Sequence, residues 1–486
     1  MKKIAYLLSA LTALLLSGCI FDIIDLDGRT AEFERINRFI VEGVHTYYLW
    51  ENETDWKKYE NRKTYAAYTD HDMLFDQLIY QDDNWSMLTD DIDDLGKQFE
   101  GVSTTFGYTL KFYRLSASSD TVIAVVLFTS PDSPAATAGL KRGDVIIEMN
   151  DDVITEKNYL DLYYASSLRV RCGEIVIEDD GKTKTIHPLP ETMSINAVEM
   201  YENPIVSHRI IEKEGKKIGY LCYTGYQQQS EGELFQLFGQ FKSDGVQDVV
   251  LDLRYNPGGF ARTALILSSI LAPETTVRNK SVYLEHHYNE LITKYYKEKK
   301  YALNEIFTDT LRFNGTLFDL LSVNMNLSRL YVLTSNRTAS ASEATMVGLD
   351  PYLELIQIGE TTSGKYCGGI LLSPEDLYDE KYSDYYESFS NWGMYIMIYR
   401  YANIKGITSF TGGLVPDIQA VENDFDLKPF GDGDDPLLGR ALAHITGVEY
   451  IEQRTAKIAS PFIALPEIKK PVDGKMIAAP PAFIYR

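Results

Sequence analysis

Val249-Val250-Leu251-Asp252-Leu253-Arg254-Tyr255-Asn256-Pro257-Gly258-Gly259 is an apolar run that stops in a proline–glycine turn. A short continuous apolar run bounded by turn residues reads as a strand buried on both faces. Working outward, the same region opens near Lys216-Lys217-Ile218-Gly219-Tyr220. Leu234 to Phe241 predicts a helix leading into the strand, and a second helix is expected from about Thr263 to Leu271. Leu330-Tyr331-Val332-Leu333-Thr334 and Ile356-Gln357-Ile358-Gly359 are two further strands. Strand–helix alternation of this kind argues an α/β core.

Two loops of this core carry chemistry. Arg337-Thr338-Ala339-Ser340-Ala341-Ser342-Glu343 follows one strand, and Gly359-Glu360-Thr361-Thr362-Ser363-Gly364-Lys365 follows the other. A serine hydroxyl is a poor nucleophile at neutral pH and needs a neighbouring base. Lysine serves when burial keeps its amine neutral, and serine–lysine pairs are a known variant of the serine triad. The small residues beside Ser340 let a substrate backbone come close. A helix opening at Ser342–Gly348 would favour negative charge near Ser340 through its dipole. Spacing alone is weak evidence, because a chain of this size holds many Ser…Lys pairs.

Together with the Val249–Gly259 segment, these motifs closely resemble the C-terminal processing peptidases, or tail-specific proteases, over nearly the whole mature chain. The resemblance implies Ser340 as nucleophile and Lys365 as general base, then as acid to the leaving amine. It implies an oxyanion hole from the Gly258 and Ala341 N–H groups. Gly412-Gly413-Leu414-Val415-Pro416-Asp417 and Asp432-Gly433-Asp434-Asp435-Pro436-Leu437-Leu438 match the family's closing motifs. Arg254 and Asn256 are expected to hold the turn, and Ser342 either to reach Lys365 or to cap its helix. One position departs. Many members carry a glutamine four residues after the lysine, which orients its amine; here that position is Gly369.

The expected fold class is a multidomain α/β (α+β) chain with a crotonase/Clp-like peptidase core over 205–450. Phe33, Ile36, Phe39, Ile40 and Val44 recur at helical spacing, and Met73 to Ile79 gives a second helix, so 31–98 is expected to be helical. Ser133-Pro134-Ala135-Ala136-Thr137-Ala138-Gly139-Leu140-Lys141-Arg142-Gly143-Asp144, with the alternating run Val145–Asn150, resembles the helix-turn-strand of a PDZ domain spanning 99–192. In such domains the Phe106-Gly107-Tyr108 stretch would be the loop that takes a peptide's terminal carboxylate, with strand addition supplying further bonds. Val282–Asp319, rich in Tyr, Lys and Glu, reads as an insertion of uncertain shape. The stretch 451–486 holds Pro461, Pro466, Pro471, Pro480 and Pro481 and is expected to be extended, either strapped to the surface or loose.

Met1-Lys2-Lys3 and the apolar run Ile4–Leu16 have signal-peptide proportions. Leu16-Ser17-Gly18-Cys19 resembles a bacterial lipobox, which makes 1–18 a leader, Cys19 a lipidated anchor and 19–30 a tether. Ile20 after the anchor favours the outer membrane of the cell envelope. The net charge of −23 argues against nucleic-acid binding. The remaining cysteines, Cys172, Cys222 and Cys367, are odd in number and make no complete disulfide framework. The seven histidines show no metal-ligand spacing, so no metal or cofactor is expected. Three functions follow: an endopeptidase that grips the C-terminal tails of protein or peptide substrates, a non-catalytic PDZ-containing binding lipoprotein, and, remotely, an acyl-thioester enzyme.

Overall fold

The computed structural model describes residues 28–177, 184–378, 380–451 and 462–480. The expected leader, and Cys19 with it, lie outside the described residues. The centre is a six-stranded sheet in the order Ile205–Lys213, Lys216–Tyr223, Asp248–Asp252, Arg329–Thr334, Glu354–Gly359, Ile418–Gln419. All neighbours are parallel except the first pair. Side chains of period two divide its strands between two cores. Leu221, Val249, Leu251, Leu330 and Val332 face the helices Glu231–Ser243 and Ala261–Leu271. Tyr220, Cys222, Val250, Tyr331 and Leu333 face the helix Pro436–Thr446. Covering on both sides is why Val249–Leu253 shows no polar alternation.

A second sheet runs Gly259–Phe260, Met476–Ile477, Cys367–Leu372, Gly393–Ala402, Val282–Tyr288, Asn304–Ile306, with Met87–Thr89 pairing Gly393–Ala402 as well. This corrects one expectation and adds to another. Val282–Asp319 is not a separate insertion: Val282–Tyr288 is a core strand antiparallel to Gly393–Ala402. Only the hairpin Thr310–Phe313 with Thr316–Asp319 stands apart. The helical segment 31–98 contains the helices Gly28–Tyr47, His71–Leu78 and Ile92–Phe99, yet its Met87–Thr89 strand belongs to the core sheet. The short edge pairing escaped the sequence because three residues carry no readable period.

The PDZ-like region is a sheet in the order Ile463–Ala464, Tyr108–Arg114, Val122–Thr129, Val145–Met149, Ser167–Ile177, Lys184–Asn196. Ser133 Oγ caps the short helix Pro134–Thr137 by accepting from Ala136 N at 3.2 Å. The last strand passes the expected boundary at 192 and ends at Asn196. Of the C-terminal segment, residues 462–480 are described, and they are strapped to the surface with a turn at 471–474. Ile463–Ala464 pairs antiparallel with Tyr113 and Arg114 of the PDZ-like sheet. Met476–Ile477 then inserts between Gly259–Phe260 and Gly369 of the core sheet. One strap therefore joins both domains.

Arg254 fixes the base of the glycine turn. It is 2% exposed and binds Asp252 Oδ1 at 2.9 Å, Glu422 Oε1 at 2.7 Å and Asp435 Oδ2 at 2.7 Å. The three carboxylates hold its guanidinium charged against the burial that opposes it. Arg254→Ala leaves these acids in the interior without their common cation. A loss of about 3–5 kcal/mol is expected, read as a lowered urea midpoint. A midpoint equal to wild type would mean that the cluster is not buried as described.

Candidate active site

Ser340 sits at the turn between the Arg329–Thr334 strand and the helix Ala341–Leu349, with φ 62° and ψ −112°. A non-glycine residue at positive φ is strained by about 1–3 kcal/mol and persists only where its surroundings fix it. Here they do. Ala339 N and Ser342 Oγ both donate to the Asn256 carbonyl, at 3.1 Å each. Asn256 in turn donates from Nδ2 to the Tyr223 carbonyl at 2.9 Å. Arg254 and Asn256 thus hold the turn as expected. Ser342 does neither of the things expected of it, because its hydroxyl is committed to the glycine-turn backbone.

Lys365 comes from the loop after Glu354–Gly359 and is brought to Ser340 through Glu343. Glu343 Oε2 accepts from Ser340 N at 2.8 Å and Lys365 N at 2.9 Å. Its Oε1 accepts from Gly364 N at 2.6 Å and Thr362 Oγ1 at 2.5 Å. Burial raises the Glu343 pKa, and the four donors pull it back toward the ionised form. Tyr401 hydroxyl donates to the Lys365 carbonyl at 2.9 Å and lies 3.3 Å from that of Ser340. Both backbones are therefore fixed by the same two side chains.

The Ser340 hydroxyl and the Lys365 amine are both enclosed and make no hydrogen bond to each other. Ser340 and Lys365 are both 0% exposed. Ser340 Oγ is buried without a hydrogen-bond partner among the described residues. Lys365 Nζ donates instead to Tyr395 hydroxyl at 3.2 Å. Burial first, and nearby Lys475 second, hold the Lys365 amine well below the ordinary lysine value. Cys367 is buried and its thiol is pushed up by that burial, so it stays protonated.

Gly258 has φ +117°, and a Cβ there would lie 2.8 Å from Ser340 Cβ. Glycine is thus required for the turn to back onto the serine. Its N–H donates to Asn256 Oδ1 at 2.9 Å, so one of the two expected oxyanion donors is engaged within its own turn. Ala341 N–H belongs to the first turn of its helix, where no earlier helical carbonyl exists to take it. Gly369 has no room for a side chain: a Cβ would sit 2.7 Å from both the Ile396 carbonyl and Tyr395 Cζ.

A cleft of 770 Å³ runs from the PDZ-like sheet to this turn. Tyr108, Thr109 and Leu110 line one end, and Gly258, Ala339 and Ser363 the other. The Phe106-Gly107-Tyr108 loop is buried, with Phe106 and Tyr108 rings stacked at 5.3 Å. Gly107 N–H donates to Thr105 Oγ1 at 3.0 Å, so the open anion cradle expected there is closed at its middle residue. The far half of the same edge strand is already taken by the chain's own Ile463–Ala464.

Tyr395, Tyr401 and the strap at Met476 are the parts of this site that the sequence did not mark. They come from distant strands whose register no local period reveals. The model of a peptidase S41 N-terminal domain matches residues 35–87, and that of peptidase family S41 matches 217–420. A carboxyl-terminal-processing protease of Picosynechococcus is 25% identical over 268 residues, which are 55% of this chain and 56% of that protein. The chloroplastic C-terminal processing peptidase of Tetradesmus obliquus is 24% identical over 304 residues, 61% of this chain and 56% of that one. The chain thus spans little more than half the length of these curated relatives. A Bacteroides fragilis crystal structure described as an S41 protease shares the fold, with a TM-score of 0.67 at 24% identity over 85% of this chain and 97% of that one. Two models of one family cover more than half of the sequence between them, and the chain belongs to peptidase family S41.

Proposed function

We propose that this protein is a serine endopeptidase that cleaves proteins or peptides near their C-termini with Ser340 and Lys365. The observation that carries the reading is the shared Glu343 carboxylate, which binds the backbone N–H of both residues. Ser340 Oγ bonds to the scissile carbonyl carbon while its proton passes to Lys365 Nζ. The C–N bond then breaks, and Lys365 returns that proton to the leaving amine. Water hydrolyses the acyl-enzyme, its proton moving by way of Lys365 back to Ser340. Ala341 N–H and Gly258 N–H would stabilise the oxyanion, Gly258 after release from Asn256 Oδ1; such donors are worth about 3–4 kcal/mol each. The covered serine and the engaged Gly258 N–H favour one alternative, a binding lipoprotein on a silent scaffold.

Ser340→Ala and Lys365→Ala should each abolish hydrolysis of casein or a tailed peptide without lowering the melting temperature. A base must be neutral, so activity is present above the folded pKa of Lys365 and lost as pH falls through it. Because that pKa is depressed, the acid limb of kcat should lie well below 10.5, the ordinary lysine value. Full activity in either variant would move the chemistry elsewhere, and a wild type inert toward every tailed substrate would favour the silent scaffold.

Substrate tails are proposed to pair along Tyr108-Thr109-Leu110, the stretch of edge strand that lines the cleft. Amidating a substrate's C-terminus should raise KM about ten- to a hundredfold if a charge-assisted contact is lost. Equal constants for amide and acid would reduce this domain to a brace.

Cys19 is proposed as a lipid anchor placing the chain in a bacterial outer membrane. Wild type should then partition into membranes and take up labelled lipid, and Cys19→Ser should not; equal labelling of both would remove the anchor.

A further inference from the structure

Gly369 leaves the lysine amine without the side chain that the sequence resemblance called for, and the structure fills that place from another strand. Tyr395, on Gly393–Ala402, is fully buried, and its ring occupies the space beside Gly369, with Cζ 2.7 Å from where a Cβ would stand. Its hydroxyl lies beside the Gly369 backbone and makes three further hydrogen bonds. It donates to the Met476 carbonyl at 2.8 Å, accepts from Met476 N at 3.1 Å, and accepts from Lys365 Nζ at 3.2 Å.

We infer that Tyr395 is the positioning residue for Lys365, and that the Met476 backbone holds its hydroxyl in the one orientation that leaves the lysine lone pair free for Ser340. The inference rests on the Ser340–Lys365 reading and follows from counting protons. A tyrosine hydroxyl has one hydrogen to give and two lone pairs to offer. Met476 O takes the hydrogen, so toward Lys365 the oxygen can only accept. A neutral amine has two hydrogens and one lone pair. With one N–H spent on Tyr395, the lone pair is not used there and can receive the Ser340 proton. A tyrosine free to rotate could instead donate to that lone pair and silence the base. The Met476–Ile477 strand therefore belongs to the working site, although it lies outside residues 217–420 of the family match.

Asp83, Glu343, Lys475 and the Cys367 thiol also act on the amine; Lys475 lies 6.0 Å from the Tyr395 ring centroid, and Tyr395→Phe keeps that ring. Tyr395→Phe removes an acceptor that favours the ammonium form, so the Lys365 pKa falls and the acid limb of kcat moves to lower pH. With the amine no longer aimed, kcat should drop about 10- to 100-fold. KM should stay within about twofold, since Tyr395 is not placed to bind substrate. Wild-type kcat together with an unmoved limb would overturn the inference. Should the phenylalanine variant not fold, 3-fluorotyrosine at 395 keeps both Met476 bonds and weakens the oxygen as an acceptor. The limb should then move the same way, and an unmoved limb is again decisive against it. Ser340→Ala run beside these separates the two failures. Hydrolysis that survives Ser340→Ala ends the peptidase assignment. Loss in Ser340→Ala with an unaffected Tyr395→Phe ends only the role of the tyrosine.

Discussion

One carboxylate organises the site. Glu343 accepts from Ser340 N, Gly364 N, Lys365 N and Thr362 Oγ1, and no other group in the region contacts both loops through so many bonds. Its position in the first turn of the Ala341–Leu349 helix suits a negative charge, because the helix dipole is positive there. Those donors would otherwise be buried without partners, at about 1–3 kcal/mol each. The clamp therefore accounts for two features at once. It supports the positive φ of Ser340, and it delivers a lysine backbone to a place where the side chain has no choice but to be buried.

Burial of that lysine is itself a cost, which the surrounding rings make tolerable. Trp85 and Tyr395 lie 5.6 and 5.3 Å from Lys365 Nζ at their ring centroids, so the amine stands among aromatic faces rather than water. Loss of water favours the neutral amine, and it outweighs the attraction of those ring faces for an ammonium. The same enclosure leaves Ser340 Oγ unpartnered and 0% exposed, and Gly258 N–H turned onto Asn256. The backbones of Ser340 and Lys365 are thus fixed side by side through Glu343, while the serine hydroxyl and the Gly258 N–H are turned inward.

Much of this was legible in the sequence because the central strands are continuous apolar runs that stop at polar or glycine-containing turns. Val249–Leu253, Leu330–Thr334 and Ile356–Gly359 were recoverable from that pattern, and their loops carry Ser340 and Lys365. Period and composition fail where pairing is short. Gly259–Phe260, Met476–Ile477 and Ile463–Ala464 are two-residue strands whose identity comes only from their neighbours. Val282–Tyr288 was obscured by a different cause. Its Glu285, His286 and His287 look soluble, although His286 stacks on Tyr399 at 4.1 Å and loses its proton affinity to burial. The tyrosine beside Gly369 could not be found from either residue alone, since the link is a register and not a motif.

One polar chain runs from the PDZ-like region to the glycine turn. Arg142, in the turn after its short helix, donates to Tyr255 hydroxyl at 2.9 Å and to the Lys428 carbonyl at 2.8 Å, and it pairs with Glu422. Glu422 also holds Arg254, and Tyr255 hydroxyl donates to it in turn. Arg254 and Tyr255 directly precede Asn256, whose side chain occupies Gly258 N–H and whose carbonyl steadies Ala339 and Ser342. A displacement of Arg142 therefore cannot leave the glycine turn unaffected, because the shared carboxylate is 13% exposed and has little water to replace a lost cation. The strap adds a second mechanical link, held to the PDZ-like edge at one end and to Tyr395 at the other. The PDZ-like sheet and the backbones of Ser340 and Lys365 are thus joined by two routes, one through charge and one through backbone.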